Sequence, residues 1–196
     1  MNTKTKKLVL CAVLVAVMLL FAFTPIGIIS IPPANATIMH IPVIIGTILL
    51  GLKPGLILGG CFGLTSVFVA FTRPSVLVQP MMAESPALVI VMSLAARLLI
   101  PVITWLVYRL LSTRFPDRQK TSVGVSALCG TVINTVCYLG LMLCFYTLLG
   151  LDSAAVKGVI AGVGLLNGSI EAGVAVVLSI PLVTALRKTF KRELHT

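Results

Sequence analysis

From Leu8 to Leu186 the chain is apolar with only short polar breaks, and this one pattern decides its solvent. Hydrophobic residues make up 58% of the 196 positions, charged residues only 10%, and the mean hydropathy is +1.13. A soluble domain built from such a chain would have almost no polar surface, so it reads as an all-α integral membrane protein. With no long polar segment to divide it, residues 1–196 form a single membrane domain.

A membrane span takes about 20 apolar residues. On that ruler six transmembrane helices are expected, over 8–23, 38–52, 54–71, 86–111, 121–150 and 154–186. The second is short, and only Lys53-Pro54 separates it from the third, which predicts a tight helical hairpin that does not cross at full depth on its own. The net charge of +10 would suggest nucleic acid in a soluble protein. Here the basic residues sit at the edges of apolar runs and read as topology signals. With the N-terminus in the cytosol, Lys4, Lys6, Lys7, Lys53, Arg109, Arg114, Arg118, Lys120, Arg187, Lys188, Lys191 and Arg192 fall inside, and only Arg73 and Lys157 outside. That bias predicts N- and C-termini that are both cytoplasmic. Ala34-Asn35-Ala36 resembles a signal-peptide cleavage site but lies too far beyond the first apolar run, with two prolines between, so the first helix is expected to be retained.

Arg97 breaks the apolar pattern, with no other charge from Pro86 to Tyr108. A guanidinium is costly in lipid, so it must face protein, water or a ligand. At 1.5 Å per residue it lies about 16 Å from the start of its helix, close to the middle of a core about 30 Å thick. Glu171 is comparably deep in the sixth predicted helix, Asn167 is one turn away on the same face, and Asn134 sits mid-depth in the fifth. Four polar groups at one depth on three helices suggest one cluster. Two readings are open: Arg97 and Glu171 neutralise each other as a buried pair, or Arg97 takes a carboxylate in bidentate geometry while Glu171 orients it or accepts a proton. The asparagines suit amide and hydroxyl groups, or they bond helix to helix. Asn35, Thr37 and His40, where the first outer connection meets the second helix, are further candidates for ligand contact.

Small residues repeat at i, i+4: Gly55/Gly59/Gly63, Gly158/Gly162 and Gly164/Gly168, with Ala12/Ala16 on the first helix. Such stripes let helix backbones approach, first of all within the bundle. The connection from Thr24 to Thr37 is uncharged, and Pro32-Pro33 stiffens it into an extended lid. Thr72 to Ser85 is a second candidate lid. Cys11, Cys61, Cys129, Cys137 and Cys144 lie in apolar helices without CxxC spacing or a His partner, so they read as small buried hydrophobes, and neither a metal nor a cofactor is expected.

The AxxxA pair, the Pro-rich connection and the run ATIMHIPVIIGTILLGLKPGLILGGCFGLTS from Ala36 to Ser66 resemble the substrate-binding S components of energy-coupling-factor (ECF) vitamin transporters, the pantothenate-type members in particular. The resemblance implies a multi-pass protein of the cytoplasmic membrane that captures a vitamin from outside beneath its outer loops. It also implies partners: a transmembrane coupling subunit, which the AxxxA face, here Ala12 and Ala16, contacts, and two cytosolic ATPases. The chain has no GxxxxGK[ST] phosphate loop and cannot bind ATP in that way itself. Trp105 lies toward the cytoplasmic half and tyrosines are only Tyr108, Tyr138 and Tyr146, which favours a small aliphatic acid such as pantothenate over a stacked heterocycle. A self-sufficient secondary transporter would need its own coupling site and usually related halves, and neither is visible. An enzyme would need a catalytic set that five acidic residues and no HExxH do not supply.

Overall fold

The computed structural model describes residues 3–24, 28–31, 34–159, 162 and 165–192. In chain order these form α1 (Thr3–Phe23), β1 (Ile28–Ile31), β2 (Ala34–Thr37), α2 (Ile41–Leu50), α3 (Leu52–Thr72), α4 (Val78–Glu84), α5 (Pro86–Arg114), α6 (Gln119–Leu148), α7 (Ala154–Val159) and α8 (Leu165–Arg192). Apart from one two-stranded hairpin, the described regular structure is helical, as lipid requires of segments that must satisfy their own backbone hydrogen bonds.

Among the described residues, five helices are long and apolar enough to cross a membrane: α1, α3, α5, α6 and α8. The second expected helix is the short apolar α2, whose 10 residues rise about 15 Å, half the hydrocarbon core, in keeping with a hairpin that does not cross at full depth on its own. Its eight buried residues, Ile41 to Ile48, make it the most enclosed helix of the bundle. The turn into α3 falls at Gly51, whose φ of 96° is the left-handed region that glycine enters without a Cβ clash. Lys53 and Pro54 belong to the first turn of α3, where the missing proline N–H costs nothing.

Over the expected sixth helix, 154–186, the described residues form α7 up to Val159 and α8 from Leu165, and residues 160, 161, 163 and 164 lie outside the described residues. The Gly164/Gly168 stripe lies partly outside the described residues.

Contacts between helix ends sort the bundle into two ends. The rings of Phe23 and Phe68 meet edge-to-face at 5.8 Å, so α1 and α3 finish together. Tyr146 near the end of α6 donates its hydroxyl to the Leu77 carbonyl just before α4, and Thr37 at the end of β2 bonds to Glu171 near the start of α8. At the other end, Arg187 of α8 reaches Gln119 of α6 and Tyr108 of α5. The hairpin, α4 and α7 thus share one end; the start of α1, the Gly51 turn and the Arg187 cluster share the opposite, basic end.

Two apolar clusters fill the bundle. The larger surrounds α2 and includes Leu14, Met18, Leu58, Phe62, Ile100, Ala127 and Ala175. The smaller lies under the hairpin end, where Val78 and Met81 of α4 pack with Met92, Met142, Phe145 and Val156. Arg97 falls between Met92 and Ile100 along α5, and Asn134 between Ala127 and Met142 along α6, so the polar layer lies where one core gives way to the other.

Candidate functional site

Glycines on α3 place Arg97. A Cβ on Gly59 would stand 2.9 Å from the Arg97 carbonyl oxygen and 3.1 Å from Cγ of Pro101, and one on Gly63 would stand 2.8 Å from a Leu94 methyl. Only glycine lets α3 lie this close to α5. Pro101 is four residues beyond Arg97 and has no N–H, so the Arg97 carbonyl loses its usual helical donor at the point where the bare Gly59 backbone approaches.

The Arg97 side chain is held on three sides. Its Nε donates to Ser66 Oγ at 3.1 Å, and its guanidinium carbon lies 4.4 Å from the ring centre of Tyr138 and 5.3 Å from that of Phe62. Each aromatic face is worth about 0.5–2 kcal/mol to a cation, the upper figure for desolvated sites. These contacts leave the far edge of the guanidinium unused: Nη1 is buried without a hydrogen-bond partner. A buried N–H left unmade costs about 1–3 kcal/mol, more for a charged group, and an acceptor placed at this edge would relieve that cost.

Arg97 lines a cavity of about 160 Å³ with Met39, Thr65, Ser66, Val69, Arg73 and Tyr138 among its walls. Thr65, Ser66, Val69, Ala70 and Arg73 recur at helical spacing, so one face of α3 forms a wall running from Arg97 toward the hairpin end. A larger groove of about 800 Å³ lies between α6 and α8, but Val132, Val136 and Val177 on its rim are exposed, and among the described residues no charged side chain lines it. The smaller cavity is the one that charged side chains, Arg97 and Arg73, line.

Glu171 is 9% exposed and is not ion-paired with Arg97; its Oε1 accepts from the Thr37 backbone N at 2.7 Å and from Thr37 Oγ1 at 3.1 Å. The carboxylate therefore pins the end of β2 onto α8. The hairpin itself is antiparallel, with Ile28 opposite Thr37 and Ser30 opposite Asn35, so the expected extended lid is two paired strands fastened at Thr37. The Asn35 side chain lies outside the described residues.

His40 occupies the N-cap position of α2 but makes no side-chain cap bond; it is fully buried and both ring nitrogens lack partners. It is near enough to Arg97 for that charge to act on it, as is Glu171. Asn134 is 8% exposed with Oδ1 unpartnered, one turn from the Tyr138 that stacks on Arg97. Asn167 is half-buried and has interactions of its own. Of the expected site residues the structure puts Arg97 on the cavity wall, His40 and Glu171 within reach of its charge but off the cavity lining, Asn134 one turn from Tyr138, and Thr37 on Glu171.

Ser66, Phe62 and Tyr138 were not singled out from the sequence. Their signal was present: Phe62 and Ser66 are one turn apart on α3, and Tyr138 follows Asn134 by one turn on α6. The five cysteines are free thiols. Ala12 and Ala16 are exposed on the outer face of α1, beside exposed Leu8, Val9, Val13 and Leu20, while Leu14 and Met18 turn inward. Among the described residues, this face has no partner inside the bundle.

The family described as "ECF transporter, substrate-specific component" matches residues 6–183. The pantothenic acid transporter PanT of Lactococcus lactis subsp. cremoris (strain MG1363) is 30% identical over 199 aligned positions, covering 95% of this chain and 96% of that protein. A match over nearly the whole bundle, from α1 into α8, makes this chain a member of the ECF transporter S-component family, a multi-pass membrane transport protein.

Proposed function

We propose that this S component captures pantothenate from outside the cell and delivers it inward with an ECF module. The observation that carries the reading is the buried, unpartnered Nη1 of Arg97 beside a cavity, an edge suited to a carboxylate. The similarity to PanT supports pantothenate as the acid. Pantothenate has one carboxylate, one amide and two hydroxyls. Arg97 takes the carboxylate, the ring nitrogens of His40 and Oδ1 of Asn134 meet the amide and hydroxyls, and Asn167 supports them from α8. Glu171, Thr37 and Asn35 belong to the closure: the carboxylate of Glu171 holds the hairpin over the occupied cavity and offers its second oxygen to a hydroxyl.

The lysine- and arginine-rich end faces the cytoplasm, which puts both termini inside and the hairpin outside. The exposed Ala12/Ala16 face is where the coupling subunit packs, since small residues let a partner helix approach closely in lipid. Two cytosolic ATPases supply the energy this chain cannot harvest.

Mass spectrometry of small molecules co-purifying with the solubilised chain, with uptake of labelled pantothenate in cells that carry an ECF module, tests this. Pantothenate recovered from wild type and absent from Arg97→Ala is the expected result. A different bound acid would overturn the assignment of pantothenate, and a ligand retained by Arg97→Ala would overturn the role of Arg97.

A further inference from the structure

The cavity has a second cation. Arg73 caps the C-terminal end of α3 and lines the same cavity as Arg97, yet it is exposed, and among the described residues its side chain has no hydrogen-bond or ion-pair partner. Ser66, which holds Arg97, is seven residues earlier on the same face of the helix, so the two guanidiniums mark the bottom and the rim of a slot about 10 Å long. Arg73 and Lys157 are the basic side chains expected at this end, and Glu84 and Asp152 offset them overall, so any attraction for an anion is local to the slot rather than a property of the whole face.

We propose that Arg73 is an anion-capture residue: it draws the carboxylate of the incoming substrate to the mouth of the slot and passes it to Arg97. This rests on the reading that the cavity binds a carboxylate. A charge that acts on approach, and is exchanged for a deeper one on binding, alters the rate of entry and not the rate of escape. It is also screened by salt, since the Debye length falls from about 30 Å at 0.01 M to about 3 Å at 1 M.

The test is the binding kinetics of pantothenate to the full chain in nanodiscs, for wild type, Arg73→Gln, Arg73→Lys and Lys157→Gln at those two salt concentrations. Arg73→Gln is expected to slow association about three- to tenfold at low salt, with dissociation unchanged and the difference gone at high salt. Arg73→Lys should keep the wild-type rate, and Lys157→Gln, whose charge lies outside the slot, should match wild type. Unchanged association in Arg73→Gln at low salt overturns the proposal. So does an effect confined to dissociation, which would make Arg73 a resident contact, or equal slowing by Lys157→Gln, which would make the effect one of total charge. A wild type that binds no pantothenate at either salt defeats the substrate reading instead, and the capture role falls with it.

Discussion

Two stripes of small residues at the same spacing have opposite fates in this molecule. Gly55, Gly59 and Gly63 on α3 are buried against α5 and bring its backbone to within a Cβ of contact at Arg97 and Pro101. Ala12 and Ala16 on α1 face outward, with apolar neighbours exposed on either side. Spacing alone does not separate the two, since both permit close helix approach. What separates them is who approaches: α3 finds its partner within the chain and walls the cavity beside Arg97, whereas α1 keeps its small-residue face open. On the proposed function, one stripe shapes the binding site and the other takes part in assembly.

The largest effect expected is on the buried stripe. Gly59→Leu forces a side chain into the Arg97 carbonyl and Pro101, and should cost more than about 3 kcal/mol, read as lost folded protein or a lower melting temperature in detergent. Its neighbour is the control: a Cβ on Gly60 meets nothing within 4 Å, so Gly60→Leu should change the melting temperature little. Equal damage at both positions would break the distinction between the two faces of α3.

Next in size is the site that the stripe creates. Arg97→Ala should weaken pantothenate binding by about 2–5 kcal/mol, the cost of truncating one partner of a buried charged contact, measured by calorimetry. Arg97→Lys should recover only part of it, because an ammonium lacks the planar edge and stacks less well on Tyr138 and Phe62.

These sites also show what the sequence could and could not say. The helices were legible: long apolar runs announced them, and a 1.5 Å rise set Arg97, Asn134 and Glu171 at one expected level along three of them. Azimuth and partnership were not. Periodicity does not tell which neighbour a helix face meets, so the Ser66, Phe62 and Tyr138 cradle went unseen, and Glu171 is tied to Thr37 rather than to Arg97. The shortness of α2 was visible as a hairpin that fails to cross.

On the open stripe, Ala16→Trp should leave pantothenate binding within about twofold of wild type and lower uptake in cells by about tenfold, since an indole there blocks close approach without touching the cavity. Loss of binding along with uptake would show that the two stripes are not independent. The smallest effect is expected at the lid. Thr37→Val removes one of the two hydrogen bonds to Glu171 and keeps the backbone one, worth about 1 kcal/mol or roughly fivefold faster ligand release. An unchanged release rate would mean the hairpin fastening does not hold the ligand.

The most direct measurement pairs the unused edge of Arg97 with the group it is held to receive. Calorimetry compares pantothenate with its alcohol analogue, in which CH₂OH replaces the carboxylate, on wild type and on Arg97→Ala in nanodiscs. Wild type should prefer the acid by about a hundredfold or more, and the preference should collapse in the variant, because carboxylate and guanidinium are one interaction. Equal affinity of wild type for both compounds, or a preference for the acid that survives in Arg97→Ala, would contradict the assignment of Arg97 as the carboxylate-binding residue.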